Sequence, residues 1–126
     1  MNEKFNILIV EDSPVIVSMI SSMLDREGYE AMVAKDGSEA KEFLQGDVVP
    51  DAVILDIQLP YADGFELLSE IRSLSAWHNV PVIMLSAKSQ EKDVVRALDL
   101  GANDYIIKPM RLMELAARLR RFLKQP

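Results

Sequence analysis

Apolar residues along the chain fall into two kinds of pattern. Four stretches have continuous apolar centres: "FNILIV" (Phe5–Val10), "DAVILD" (Asp51–Asp56), "VPVIMLS" (Val80–Ser86) and "DYIIK" (Asp104–Lys108). Continuous runs of this length, rather than alternating ones, predict parallel strands covered on both faces. A weaker stretch, "YEAMVA" (Tyr29–Ala34), suits an edge strand. Between these runs the spacing becomes helical. Ser13-Pro14 reads as a cap and first-turn proline that open a helix over Val15–Glu27, with Gly28 as its stop. A second helix runs from Gly37 or Ser38 to Leu44 and is closed by Gly46. Asp63 followed by Glu66 resembles a capping box ahead of a helix over Gly64–Leu74. Ser89–Leu100 ends at Gly101, a left-handed stop. In Leu112–Leu123, residues Leu112, Leu115, Ala116, Leu119 and Leu123 share one stripe. Met19, Met23 and the other methionines fall among apolar residues and read as core filler.

Strand followed by helix, five times over, predicts an open α/β sheet. Right-handed crossovers make a doubly wound sandwich its simplest topology, and a barrel would need more units.

Length and charge narrow the classes. A chain of 126 residues suits one domain, with a structured core over about 5–123 and residues 124–126 as the start of a linker. The apolar runs are far too short for a membrane span, and "MNEKFNILIV" lacks a signal peptide's apolar core. There is no cysteine, so disulfides and thiolate metal sites are unavailable. The expected setting is the cytoplasm. A net charge of −6 argues against direct nucleic-acid binding, which needs a basic face. The basic residues of the last helix, Arg118, Arg120, Arg121 and Lys124, complement its dipole instead.

In open α/β sheets, ligands bind outside the carboxyl ends of the strands. Glu11 and Asp12 follow the first apolar run, Asp56 ends the third strand, Ser86 the fourth and Lys108 the fifth. Each has a local explanation as a cap, a turn or a solvated edge. One site accounts for all five. Three clustered carboxylates call for a cation, and an oxygen-only set suits Mg²⁺. With Lys108 as a second positive charge and Ser86 as a neutral donor, the centre can receive a phosphoryl group on one carboxylate. Asp56, on the middle strand, is the expected nucleophile. Asp51 precedes that strand and reads as structural. No G-x-x-x-x-G-K-[ST] or G-x-G-x-x-G motif is present. His78, alone in "SAWHNV", reads as a surface residue.

"ILIVEDSP", "VILDIQLPYADGFELL", "PVIMLSAK" and "GANDYIIKPM" resemble, in order and spacing, the motifs of bacterial response-regulator receiver domains. The resemblance covers essentially the whole chain. It implies a flavodoxin-like (βα)5 fold with a five-stranded parallel sheet of order 2-1-3-4-5, Asp56 as phosphoacceptor, and phosphoryl transfer from a sensor histidine kinase or histidine phosphotransfer protein. It further implies Mg²⁺, with Mn²⁺ as a substitute, held by Glu11, Asp12, Asp56 and the main-chain carbonyl of Gln58. Ser86, Lys108 and Tyr105 become the phosphoryl-binding and switch residues, and Gln58 and Lys88 tune dephosphorylation. The Lys108–Pro109 bond is expected to be cis. Such a domain is not an enzyme beyond catalysing its own phosphorylation and dephosphorylation.

Met110 stands where the family often has phenylalanine, and Ser86 where threonine is commoner. A haloacid-dehalogenase-type phosphatase would carry a second acid at the position of Gln58. A flavodoxin-like FMN carrier would need a Ser/Thr/Gly-rich loop in place of "EDSP". The segment from Asp93 to Lys124 is similar to receivers joined to winged-helix DNA-binding domains, in which residues matching Arg96, Asp99, Asp104, Glu114 and Arg118 pair across an activated dimer. Asn103 departs from that subgroup's usual acid. The same charges would serve equally as a solvated face, so the sequence leaves both readings open.

Overall fold

Within each central strand, successive side chains enter opposite cores. Ile7 and Ile9 face one hydrophobic layer with Ile54, Ile83, Leu85 and Ile106, while Leu8 and Val10 face the other with Val53, Leu55, Val82 and Met84. This two-sided burial explains the continuous apolar runs, since neither face of the sheet meets water. The computed structural model describes residues 4–123. The strands of the main sheet are β1 (Asn6–Val10), β2 (Glu30–Ala34), β3 (Ala52–Asp56), β4 (Val82–Ser86) and β5 (Asp104–Ile107). They are all parallel, in the order β2-β1-β3-β4-β5. The helices are α1 (Pro14–Arg26), α2 (Gly37–Gln45), α3 (Gly64–Ser73), α4 (Glu91–Asp99) and α5 (Leu112–Phe122). Helices α1 and α5 cover one face through Ile20, Met23, Leu24, Leu115, Ala116 and Leu119, and α2, α3 and α4 cover the other. This is the expected flavodoxin-like doubly wound sandwich.

The differences from expectation lie at element ends. Ser13 caps α1, with Oγ accepting from Ile16 N–H at 3.4 Å. Asp63 caps α3, but its carboxylate accepts from Phe65 N–H at 2.8 Å, so the box with Glu66 is not formed. A reciprocal pair stands at α2 instead: Asp36 accepts from Glu39 N–H, and the Glu39 carboxylate accepts from Lys35 N–H. Helix α4 begins at Glu91 rather than Ser89, because the preceding residues are held by other bonds, described below. A two-residue antiparallel ribbon joins Gln58–Leu59 to Ala62–Asp63, with Tyr61 at positive φ in its turn. Met23 is core as expected, whereas Met19 is 42% exposed. Trp77, in the loop after α3, is fully buried, although nothing in its local pattern announced it.

Asp51 is structural: its Oδ2 accepts from Asn6 N–H at 2.7 Å while its own N–H donates to Asn6 O, tying the starts of β1 and β3 together. Among the described residues, no helix is long and apolar enough to cross a membrane. Lys124 and the expected linker at 124–126 lie outside the described residues.

Candidate functional site

Because the strands are parallel, the residues that follow β1, β3, β4 and β5 emerge on one edge. Glu11, Asp56 and Ser86 are all buried there, at 1%, 3% and 0% exposure. Buried carboxylates are costly unless they are paired and hydrogen-bonded. Lys108 supplies the pairing, with Nζ 2.8 Å from Glu11 Oε1 and 3.0 Å from Asp56 Oδ2. The other oxygens take main-chain donors: Ser13 N–H reaches Glu11 Oε2 at 3.0 Å, and Gln58 N–H reaches Asp56 Oδ1 at 3.1 Å. Burial pulls the Lys108 ammonium toward a lower pKa, but the hydrogen bonds and charges of Glu11 and Asp56 outweigh it, and the net direction is upward.

Asp12 is exposed beside this pair, and one carboxylate oxygen from each of Glu11, Asp12 and Asp56 lies within 4.8 Å of the others. Three carboxylates and one ammonium leave a local charge of about −2, which a divalent cation would balance. The donors are all oxygen, the set preferred by hard cations such as Mg²⁺. The residues therefore fit a metal of that kind.

Lys108 itself is placed by its N–H, which donates to Ser86 O at 2.9 Å, and the Lys108–Pro109 bond is cis. Ser86 and Tyr105 converge on a single residue. Ser86 Oγ accepts from Lys88 N–H at 3.0 Å, and Tyr105 OH donates to Lys88 O at 2.8 Å. Burial raises the Tyr105 phenol above its ordinary pKa; the Ser86 hydroxyl works against the shift, and the charges of Asp93 and Asp56 add to it. These bonds occupy the segment where the sequence suggested α4 would start. The side chains of Gln58 and Lys88 line one open groove of about 350 Å³, together with Ile57, Phe65 and Arg96.

Gly64 holds the loop after Asp56 closed. Its N–H donates to Ile57 O at 2.8 Å, and a Cβ there would lie 2.5 Å from both Asp56 O and Ile57 Cα. Since the three nearest atoms are all backbone, Gly64→Ala is expected to cost about 1–3 kcal/mol of stability. Urea unfolding checks this, and an unchanged midpoint would show that the loop adapts freely.

Of the residues considered for a dimer face, Arg96, Asp104, Glu114 and Arg118 make contacts within the chain. Arg118 Nη1 contacts Asp104 Oδ2 at 2.9 Å and Oδ1 at 3.2 Å, and its Nε reaches Glu114 at 3.4 Å. The Arg96 guanidinium lies 4.1 Å over the Phe65 ring, and Asp99 is exposed. Asn103 points elsewhere: its Oδ1 accepts from Val82 N–H and from Arg72 Nη2, each at 2.8 Å. Arg72 was not singled out from sequence. Its partners are mostly main-chain carbonyls, which carry no residue-type signal in the sequence.

The model of the response regulator receiver domain matches residues 7–120. The chain is 40% identical over 119 residues to the transcriptional regulatory protein CpxR of Klebsiella pneumoniae subsp. pneumoniae, a match covering 94% of this chain and 49% of that protein. It thus spans about half the length of the curated relatives it matches. Among solved structures, it is similar to the chemotaxis response regulator CheY4 of Vibrio cholerae, with TM-score 0.88, 30% identity, and 96% and 100% of the two chains covered. It is also similar to the receiver domain of a sensor histidine kinase of Pseudomonas aeruginosa, solved with a magnesium ion in its active-site cleft. There the TM-score is 0.85, the identity 35%, and the coverage 95% and 98%.

Proposed function

The chain belongs to the response regulator receiver domains, and from that premise we propose that Asp56 accepts a phosphoryl group from the phosphohistidine of a sensor histidine kinase or histidine phosphotransfer protein. The observation that carries this reading is the buried Asp56 carboxylate at the end of β3, paired to Lys108 and flanked by Glu11 and Asp12. Gln58 N–H orients Oδ1. An Asp56 oxygen attacks phosphorus, the phosphorus–nitrogen bond of the donor breaks, and its electron pair stays on the imidazole. Lys108 and Ser86 stand ready as donors to the transferred oxygens. Mg²⁺, or Mn²⁺ in its place, held by Glu11, Asp12, Asp56 and the Gln58 carbonyl, would neutralise charge on the transferring group.

The chain acts on no other substrate: it catalyses only its own phosphorylation and its return to the free carboxylate by hydrolysis. Gln58 and Lys88, lining the adjoining groove, would set how readily water reaches the acyl phosphate. Added phosphate charge biases the Ser86–Tyr105 pair and with it the face of α4, β5 and α5. That face also exposes Val95, Leu98 and Ile107. An activated homodimer through Arg96, Asp99, Asp104, Glu114 and Arg118 would exchange the contacts that Arg118 now makes with Asp104 and Glu114 within one chain. The proposed setting is the cytoplasm, with regulation of an output domain or partner.

Incubation with acetyl phosphate and Mg²⁺, followed by peptide mass mapping, should place one phosphoryl group on Asp56 and none after chelation of the metal. Labelling at another residue, or none with Mg²⁺ present, would overturn the assignment.

A further inference from the structure

Helix α4 is held very differently at its two ends. At its start, Gln90 makes no side-chain cap bond, and Ala97 is the only buried residue of the nine. The segment leading into it is tied by two hydrogen bonds to the Lys88 peptide, from Ser86 and Tyr105. At its other end a clamp closes. Arg72 Nε donates to Gly101 O at 2.9 Å, Nη2 to Asn103 Oδ1 at 2.8 Å, and Nη1 to Val80 O at 2.8 Å, with His78 O at 3.2 Å. Asn103 is itself fixed to β4 through Val82 N–H and Val82 O. Gly101 is shaped for this contact: its φ is +106°, and a Cβ there would lie 2.9 Å from Arg72 Nε. The guanidinium has no carboxylate partner among these contacts. With Trp77 O at 3.5 Å, its planar fork joins five backbone or amide acceptors on two loops, a geometry that a lysine cannot reproduce.

We propose that Arg72 is the pivot of α4: it pins the C-terminal end of the helix to α3 and β4, so that displacement of Ser86 and Tyr105 swings the N-terminal end alone. The link to phosphorylation rests on the function proposed above. The asymmetry of attachment does not.

Amide hydrogen exchange separates the two. Without ligand, amides at Asp93–Val95 should exchange faster than those at Leu100–Asn103. Arg72→Lys should speed Leu100–Asn103 about tenfold or more, the loss of one charged hydrogen bond, while Leu8 and Ile54 in the core change little. Beryllofluoride with Mg²⁺ should alter only the N-terminal half in wild type and both halves in Arg72→Lys. Equal protection of the two ends overturns the pivot, and so does a uniform increase that includes Leu8 and Ile54. A ligand-induced change of equal size at both ends of the wild-type helix overturns it as well. If beryllofluoride changes nothing anywhere, the phosphoacceptor reading fails, and the ligand-free comparison still decides the pivot.

Discussion

Asp56→Asn is expected to take up no phosphoryl group from acetyl phosphate under conditions that label the wild type. The substitution replaces the attacking oxygen with an amide nitrogen, which is not a nucleophile toward phosphorus, and leaves an oxygen able to accept from Gln58 N–H. The fold should survive, because Lys108 keeps its 2.8 Å partner Glu11. Loss of labelling therefore cannot be confused with loss of structure, provided that thermal unfolding of both proteins is followed alongside. The variant should also fail to bind beryllofluoride with Mg²⁺, since the adduct requires a bond to the carboxylate oxygen. Equal labelling of the variant would exclude Asp56 as phosphoacceptor and move attention to Asp12, the exposed member of the cluster.

Lys108→Met should slow phosphorylation by about 10²–10³-fold, the usual effect of removing one charged group aimed at a transferring oxygen. It should also destabilise the fold, by about 3–5 kcal/mol if the burial of both carboxylates persists, because Glu11 and Asp56 lose their shared counter-charge. The pH dependence tests the same contact. The Lys108 pKa is raised in the folded chain, so its stabilisation is fully present below the ordinary lysine value of 10.5 and is lost as pH rises through and beyond it. The stability gap between wild type and Lys108→Met, measured by urea unfolding, should be full at neutral pH and narrow under strongly alkaline conditions. A gap that stays constant with pH would mean that the methionine acts through packing and not through charge.

Much of this site was legible without coordinates. Glu11, Asp12, Asp56, Ser86 and Lys108 each follow an apolar run, and parallel strands carry whatever follows them to one edge. The pairing itself was less legible. Strand position separated Asp56, at the strand's carboxyl end, from Asp51 at its start, but not their partners: Asp56 is buried on Lys108, and Asp51 bonds Asn6. Sequence read Asp63 and Glu66 as a capping box. The close seat of Gly64 against Ile57 directs the Asp63 carboxylate to Phe65 N–H instead. Sequence started the fourth helix at Ser89, but it begins at Glu91, after the bonds that Ser86 and Tyr105 make at Lys88.

The sequence by itself determined the order of elements, the parallel sheet and the identity of the acidic cluster, because hydrophobic periodicity and strand-end chemistry are local and survive in one dimension. Tertiary structure alone decided that Glu11 and Asp56 share Lys108 and that Asn103 belongs to Arg72. It also decided that Arg118 holds Asp104 and that Trp77 fills the core from a loop. Each of these depends on groups brought together by the folded chain, and for the buried Lys108 site the gain of pairing exceeds the cost of leaving water only at one particular geometry.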